Sequence, residues 1–307
     1  MAPFRKGTGR FLLQSHHMLR VIYNPVAGPK IVSKIDRVQT LLSARGIPFE
    51  IVKTSGPGDA VLLAREAARA GADAVLAVGG DGTINEVANG LAGSRTRLAV
   101  VPHGTGNVLA QEVGLPKTVE GCLDLLGTGK TIEVPLARAE NRYFVLVASA
   151  GFDAEVVERM GHRGKNIVGI GAYVLAGIGH LLRSQPPLWL EFPGRERMEV
   201  QAVLLCRGKK YAGFVTMAPA GSLERNSFQL VALRKTGRWA ILRFAVSALR
   251  GTHVSSPAVH IREAQSVLVR SRIPSAAQVD GDYLGPLPVR FEMTDVRLRI
   301  VVPTEYS

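Results

Sequence analysis

From residue 19 to about residue 107, short apolar runs alternate with segments whose apolar residues recur every three or four positions. After the first run, Ile31, Ile35, Val38 and Leu42 would share one face of a helix. Strands that alternate with helices predict a parallel sheet with helices on both faces. The predicted strands are 19–23, 49–54, 74–78 and 98–102, and the predicted helices are 31–44, 60–70 with Asp59 as N-cap, and 84–91.

The pattern changes near residue 132. From there to about residue 269, many short runs rich in Val, Leu and Phe predict an antiparallel, β-rich second domain. Helices are predicted near 167–182 and 238–250, and alternating strands at 289–293 and 296–302. We therefore expect a flexible basic extension over 1–17, a first domain over 18–132 and a second domain over 133–289.

The longest apolar stretch, 167–179, is followed by His180 and contains four glycines. A membrane-spanning helix needs about 20 apolar residues, so this stretch is too short to cross a bilayer. A helix buried in the fold is the first interpretation, and a wall that faces lipid is the alternative.

The chain is strongly basic, with a net charge of +13 and an isoelectric point of about 10.2. This charge is compatible with a solvated basic surface, an anionic membrane, a polyanionic substrate or nucleic acid. Aromatic residues make up only 6% of the chain and do not interleave with basic runs, which argues against nucleic acid. The two cysteines have no zinc-type spacing and favour a reducing compartment such as the cytoplasm.

The most informative stretch follows the third predicted strand. Gly79-Gly80-Asp81-Gly82-Thr83 leads directly into a helix with Ile84, Val87 and Leu91 on one face. A glycine-rich turn between a strand and a helix N-terminus lets backbone N–H groups approach an oxyanion. Asp81 would repel a bare phosphate, so it fits either a Mg²⁺ ion placed between it and phosphates or the role of a proton acceptor.

Further motifs stand in a definite order along the chain. They are Asn24-Pro25-x-x-Gly28, the 79–83 loop with Asn85-Glu86, Pro102-x-Gly104-Thr105-x-Asn107, Gly151-Phe152-Asp153-Ala154, Ala218-Pro219 and Asp280-Gly281-Asp282. From about residue 19 to the C-terminus this set resembles the bacterial diacylglycerol kinase and sphingosine kinase family of lipid kinases. The GGDGT motif alone is shared with NAD kinases and phosphofructokinase-like enzymes, so the resemblance depends on the whole set.

The resemblance implies an N-terminal α/β domain of the NAD kinase and phosphofructokinase kind, a β-sandwich-like C-terminal domain and an active site in the cleft between them. It also implies that the final segment, about 290–307, returns to the first domain. ATP with Mg²⁺ and a lipid hydroxyl are the implied reactants. The implied nucleotide-binding residues are Asn24, Thr54, Gly79, Gly80, Asp81, Gly82, Thr83, Asn85, Glu86, Gly104 and Thr105, with Asp81 as the metal ligand.

The implied reaction transfers the γ-phosphoryl group of ATP to a lipid hydroxyl, whose proton a carboxylate accepts. Asp81 is the candidate that organises Mg²⁺–ATP, and Asp282 is the candidate base. Family members usually carry a glutamate at the position of Asp282, so the side chain here is about one C–C bond shorter. Asp280-Gly281 alone would also be typical of a hairpin turn.

Two positions depart from the family pattern. Asn107 is followed by Val108, where many bacterial members have an aspartate. Arg225-Asn226 occupies the place of an Asp-Gly pair that often binds a structural Mg²⁺. A guanidinium cannot ligate a cation, so we expect this metal to be absent and Arg225 to fill its space as an internal cation, paired with Glu224 or another acid.

The acceptor is less well defined. The segment 151–156 is expected beside the acceptor, and Val157 occupies a position where sphingosine kinases carry an acid, which favours a neutral lipid such as diacylglycerol. Asp153 is alternatively a helix cap.

A lipid acceptor implies peripheral association with an anionic membrane. The basic candidates for that contact are Arg207, Lys209, Lys210, Arg234, Lys235 and Arg238.

Three alternatives stay open. The first is a sphingoid-base kinase or another lipid kinase. The second is a kinase of a soluble acceptor such as NAD, and the third is a non-catalytic relative that binds nucleotide or lipid. A homodimer is a further open expectation, and no nucleic-acid partner is expected.

Overall fold

The computed structural model describes residues 18–158, 187–194, 196–234 and 237–306. The predicted extension 1–17 and the predicted helix near 167–182 lie outside these ranges. In the part of the chain that is described, no helix is both long and apolar enough to cross a bilayer.

Strands and helices alternate through the first part of the chain, as the apolar pattern predicts. The first strands and helices are β1 (Leu19–Tyr23), α1 (Ile31–Ala44), β2 (Phe49–Lys53), α2 (Asp59–Arg69), β3 (Ala74–Gly79), α3 (Asp81–Leu91), β4 (Arg97–Pro102), α4 (Val108–Glu112) and α5 (Val119–Thr128).

The first four strands are parallel and lie in the order β2-β1-β3-β4. Side chains of β3 alternate between two cores. Val75 and Ala77 pack in one core with α2 and α3, whereas Leu76 and Val78 pack in another with α1 and α5. The predicted α/β layer, with helices on both faces of a parallel sheet, is therefore confirmed.

Asp59 is the first residue of α2 and not its N-cap, which corrects the sequence-based prediction. Gly58 occupies the N-cap position in a left-handed conformation with φ of 84°. The Asp59 carboxylate instead accepts a hydrogen bond from the Ser55 N–H at 2.8 Å. A glycine tolerates this conformation at no steric cost, which explains why the helix begins one residue earlier than expected.

The second part of the chain is rich in strands, as predicted. Its strands and helices are β5 (Lys130–Ala139), β6 (Arg142–Phe144), β7 (Val147–Gly151), α6 (described over 152–158), β8 (Leu188–Glu191), β9 (Arg197–Val200), β10 (Ala202–Cys206), β11 (Lys210–Tyr211), β12 (Val215–Thr216), β13 (Phe228–Leu233), α7 (Arg238–Leu249), β14 (Val259–Ala264), β15 (Ser266–Ser271), β16 (Ala276–Val279), β17 (Asp282–Pro286) and β18 (Val289–Val302).

These strands build a sandwich. One layer is a six-stranded antiparallel sheet in the order β14-β13-β10-β7-β16-β17. The other is the antiparallel half of the large sheet, formed by β18, β15, β8 and β9 with β5 and β6. Phe228 and Leu230 of the first layer share a buried core with Val267, Val269 and Phe291 of the second. The β-sandwich-like C-terminal domain is thus confirmed.

The last strand joins the two halves of the large sheet. The apolar pattern predicts two strands here, but the structure has one, β18, with a register shift between Met293 and Arg297. Thr294 lies at this shift and donates its hydroxyl to the Leu136 carbonyl at 2.8 Å. Near its start β18 pairs with β15, and near its end it pairs in parallel with β4. The parallel and antiparallel halves therefore form one continuous sheet.

Candidate functional site

The four parallel strands end at one edge of the sheet, and each is followed by a residue that belongs to the implied nucleotide site or to one of its motifs. In the spatial order of the strands, β2 is followed by Thr54 and β1 by Asn24. Next to them, β3 is followed by Gly80 and β4 by His103. The Thr54 N–H donates to the Tyr23 carbonyl at 2.9 Å, which ties the first two of these strand ends together. Ligands bind at this edge in open α/β sheets, so the position suits a nucleotide.

Two glycine loops pack directly against each other at the centre of this edge. The His103 N–H donates to the Gly79 carbonyl at 2.7 Å. A β-carbon added to Gly104 would lie 2.8 Å from the Gly80 α-carbon, which is closer than two carbons can approach. A β-carbon on Gly79 would likewise lie 2.8 Å from the Thr83 β-carbon. The glycine at 104 is therefore needed to bring the two loops into contact, and the glycine at 79 leaves room for Thr83 in the first turn of α3.

Asp81 links the same two loops through its carboxylate. Oδ1 accepts a hydrogen bond from the Val108 N–H at 2.7 Å. A β-carbon on Gly106 would lie 2.7 Å from Oδ2, so only a glycine leaves room for this carboxylate. Burial raises the pKa of Asp81 above its ordinary value, although hydrogen bonds from the Val108 and Asn107 amides oppose the shift. Asp81 is thus a half-buried acid at the start of α3.

Gly82 differs from its neighbours because the fold does not require a glycine there. Its φ is not positive, and a β-carbon would meet open space. Gly82 is exposed, as is Thr105 at the tip of the second loop. The N-cap residue of α3, Gly80, provides no side-chain hydrogen bond to the helix. The first turn of α3 therefore opens onto free space, as a phosphate-binding turn does.

Lys34, which the sequence-based reasoning missed, completes this edge together with His103 and Asn107 of the second loop. The Lys34 ammonium, on α1, donates to the Pro102 carbonyl at 2.8 Å, directly before the second loop. Burial, and then the charge of Lys34, lower the pKa of His103. Asn107 adopts a left-handed conformation and donates its side-chain amide to the Gly104 carbonyl at 2.7 Å. Lys34 lies within an ordinary amphipathic helix, so no sequence signal distinguished it.

Asn85 and Glu86 make contacts within the fold. Asn85 is buried and accepts a hydrogen bond from the Asn89 side chain at 2.9 Å. The two Glu86 oxygens accept from the N–H groups of Gly58 at 2.9 Å and Ala60 at 3.2 Å. Glu86 therefore caps α2, the role that the sequence-based reasoning gave to Asp59.

The two acids of the Asp280-Gly281-Asp282 turn have different surroundings. Asp280 accepts hydrogen bonds from three consecutive backbone amides, those of residues 145–147, at 2.7–2.9 Å. Burial raises the pKa of Asp280 to about 6, while these amides favour its charged form. Asp282, at the start of β17, pairs with Arg142 at 3.1 Å. Asp280 is therefore a structural residue, and Asp282, which is half-buried, stays the candidate base of this turn.

A series of side-chain and backbone contacts links Asp282 to the helix that begins at Asp81. Arg142, the partner of Asp282, is followed by Tyr143 on β6. Tyr143 exchanges two hydrogen bonds with the Asn89 side chain, at 3.0 and 3.1 Å. Asn89 lies on α3, about 12 Å along the helix axis from Asp81. Asp282 is therefore connected, through Arg142 and Tyr143, to the helix that begins at Asp81.

Beneath the turn lies a buried polar network around Asp153. Its carboxylate accepts hydrogen bonds from the hydroxyls of Ser149 and Tyr211, and from the Gln278 amide at 3.1 Å. Gln278 in turn accepts from the Gly281 N–H at 2.8 Å. This network positions the turn that carries Asp282 and connects it to the start of α6.

A buried arginine occupies the region where a structural metal was considered. The Arg207 side chain has 0% exposure, and its guanidinium donates to the carbonyls of Pro135, Leu223 and Arg225 at 2.6–2.8 Å and to that of Ser227. Burial lowers its pKa to about 10, so the group stays charged at neutral pH.

Arg207, and not Arg225, is therefore the internal cation of this loop. Arg225 is exposed, and its guanidinium contacts the Ala220 carbonyl at 3.4 Å. The prediction was wrong about the residue because the cation comes from the end of β10, distant in sequence. Arg207 is also excluded from membrane contact by its burial. The predicted contacts at Lys235 and the Arg238 side chain lie outside the described residues.

Among the described residues, no group of three His, Cys, Asp or Glu side chains converges to hold a metal ion. Asp81 is a single carboxylate beside the exposed start of α3. Mg²⁺ in nucleotide sites commonly uses one or two carboxylates together with substrate phosphates, so this donor set fits a metal that arrives with the nucleotide.

Comparison with known proteins agrees with this arrangement. Residues 18–139 match the family model of the diacylglycerol kinase catalytic domain, and residues 146–302 match that of the YegS C-terminal NAD kinase beta sandwich-like domain. The chain is 32% identical to the diacylglycerol kinase of Bacillus subtilis (strain 168) over 292 residues, which cover 93% of this chain and 96% of that protein. It is 30% identical to the diacylglycerol kinase of Staphylococcus haemolyticus (strain JCSC1435), with coverages of 93% and 88%.

Solved structures share the fold. A diacylglycerol kinase crystal structure from Bacillus anthracis str. Sterne superposes with a TM-score of 0.72 at 19% identity, and the match covers 95% of this chain and 98% of that one. A second structure from the same organism gives a TM-score of 0.80 at 21% identity over 95% and 97% of the two chains. With its paired glycine loops, its sandwich and these relatives, the chain belongs to the diacylglycerol kinase family of lipid kinases.

Proposed function

We propose that this protein transfers the γ-phosphoryl group of ATP to the hydroxyl of a neutral glycerolipid such as diacylglycerol. The observation that carries the proposal is the contact between the 79–83 and 103–107 loops around Asp81. It leaves the exposed first turn of α3 free at the ligand-binding edge of the sheet. The relatives at 30–32% identity are named diacylglycerol kinases, which supports the acceptor class.

The residues divide the chemistry between two sides of the site. The N–H groups at the start of α3 and the 103–107 loop bind phosphate oxygens, and the Lys34 ammonium adds positive charge beside them. Asp81, with those oxygens, would hold Mg²⁺, which neutralises phosphate charge when bound. Asp282 accepts the proton of the acceptor hydroxyl, and Arg142 orients its carboxylate.

The acceptor side favours a neutral lipid over an amine. Near the start of α6, the Asp153 carboxylate is hydrogen-bonded by Ser149, Tyr211 and Gln278. Val157 is buried, with 5% exposure. Neither side chain is placed to pair with the ammonium group of a sphingoid base.

An acceptor panel tests the proposal. Purified protein is incubated with γ-labelled ATP and Mg²⁺ against diacylglycerol, monoacylglycerol, sphingosine, a total lipid extract and NAD. We expect label in the phosphorylated diacylglycerol and in the corresponding fraction of the extract. Label that enters NAD or sphingosine in preference to the glycerolipids, or no transfer to any acceptor, would refute the proposed function.

A further inference from the structure

Helix α7 has two apolar faces, and the packing of the described residues accounts for only one of them. Ile241, Phe244 and Ala248 pack against the outer side of the six-stranded sheet. On the opposite side, four large apolar residues follow one another at intervals of three, four and three positions, which places them in one stripe along the helix. They are Trp239 (64% exposed), Leu242 (40%), Val246 (39%) and Leu249 (65%).

The stripe is extended by apolar side chains of neighbouring segments. Phe214, which is 54% exposed, lies between β11 and β12, and β12 packs against α7. Val254 is 42% exposed and belongs to the short 3₁₀ helix that also packs against α7. Large apolar residues that are exposed together in this way mark an interaction surface more often than isolated ones do.

The segment of the sequence that contains the stripe carries charge of one sign. Between Glu224 and Glu263 the sequence contains no acidic residue but seven basic ones: Arg225, Arg234, Lys235, Arg238, Arg243, Arg250 and Arg262. Of these, Arg243 on α7 and Arg250, the C-cap residue of α7, are exposed and fall on the positions beside the stripe.

An apolar stripe flanked by cations is typical of a helix that lies in the interface of an anionic bilayer. A tryptophan at the edge of such a stripe suits the level of the lipid headgroups. A two-fold contact between two copies of this face would bring like charges together, which disfavours self-association.

The surface is connected to the candidate active site. A β-carbon on Gly213, next to Phe214, would lie 2.6 Å from the Gln111 amide nitrogen, so the β11–β12 turn rests on α4. Gln111 donates to the Gly106 carbonyl at 2.6 Å, within the second glycine loop. A membrane bound to this surface would therefore lie next to an element that contacts the site.

We propose that the outer stripe of α7, with Phe214, docks on the surface of an anionic lipid bilayer. This proposal rests on the proposed function, because it takes the acceptor to be a lipid. The test is sedimentation with vesicles of phosphatidylglycerol and phosphatidylcholine, and with phosphatidylcholine alone, at low and high salt. We expect binding to the anionic vesicles that weakens at high salt, because screening lengths shorten from about 10 Å at 0.1 M to about 3 Å at 1 M.

Matched variants separate this surface from ordinary exposed apolar residues. Trp239→Ser with Leu249→Ser should weaken vesicle binding about tenfold or more, since each substitution removes a large apolar area that the bilayer would bury. Leu62→Ser on α2 and Ile273→Ser, which change residues of 56% and 61% exposure elsewhere, should bind as the wild type does. In a Trp189→Phe background, Trp239 is the remaining tryptophan, and its emission should shift to the blue on anionic vesicles.

Three results would overturn this docking surface. They are no binding to anionic vesicles at low salt, equal binding by the Trp239→Ser, Leu249→Ser protein, and a lipid-free dimer that those substitutions dissociate. Sedimentation and fluorescence require no turnover, so they are independent of the kinase assay. Stripe-dependent vesicle binding without phosphorylation of any lipid would refute the proposed function alone.

Discussion

At the scale of single residues, charge was easier to predict from the sequence than position. An internal cation was expected in the 218–227 loop, and the structure has one, but it is Arg207. A guanidinium offers five N–H donors in a fixed plane, so one side chain can bind several carbonyls at once. Glu86 is a second example, because the sequence predicted an acidic cap for α2 at Asp59 and the structure supplies it from another helix. Contacts between residues far apart in sequence decide both cases.

The Arg207 cluster makes a prediction about stability. Arg207→Met removes the donors of four carbonyls, so we expect the free energy of unfolding to fall by about 3 kcal/mol or more. Arg225→Met, at an exposed position in the same loop, is the matched control and should change it by less than about 0.5 kcal/mol. Chemical denaturation of the three proteins gives the comparison. Equal stability of wild type and Arg207→Met would contradict the role of Arg207.

At the scale of elements, the sequence predicted most strands and helices because apolar periodicity is a local property. The alternating strands and helices of the first domain lie near their predicted bounds, and so does the glycine turn before α3. Helix α7 also lies near its predicted bounds. Errors occurred where tertiary contacts decide. β18 is one strand because β5 pairs along both sides of its register shift. α2 begins at Asp59 because Gly58 adopts a left-handed conformation that no periodicity signals.

Two glycine substitutions test the loops that surround Asp81. In Gly82→Ala the new methyl group would lie in open space, and the backbone φ suits any residue. The free energy of unfolding should therefore stay the same or rise by up to about 1 kcal/mol. ATP affinity should nevertheless fall about tenfold or more, since the new methyl group occupies the path of the phosphates. Gly104→Ala forces the two loops apart and should reduce both stability and ATP affinity. Thermal unfolding and ATP titration measure the two effects. Unchanged ATP affinity in the folded Gly82→Ala protein would place the nucleotide elsewhere.

At the scale of the whole molecule, a continuous sheet and helix α3 connect the parts of the chain that carry Asp81 and Asp282. β18 pairs with strands of both halves, and α3 carries Asp81 at its start and Asn89 near its end. Asn89 binds β6, the strand whose Arg142 pairs with Asp282. The sequence identified both acids from their motifs but gave no information on this connection. Asn89 and Tyr143 are 54 positions apart in the sequence, and Arg142 and Asp282 are 140 positions apart.

The division of labour between the two acids is the central claim, and Asp282→Asn tests it most directly. Labelled phosphoryl transfer to diacylglycerol is measured together with the ATP dissociation constant, and Asp282→Glu, which restores the usual family residue, is the control. We expect Asp282→Asn to reduce the transfer rate about 10²–10⁴-fold with ATP affinity unchanged, because only the proton acceptor is lost. Asp282→Glu should retain activity. Transfer at the wild-type rate by Asp282→Asn would contradict the account.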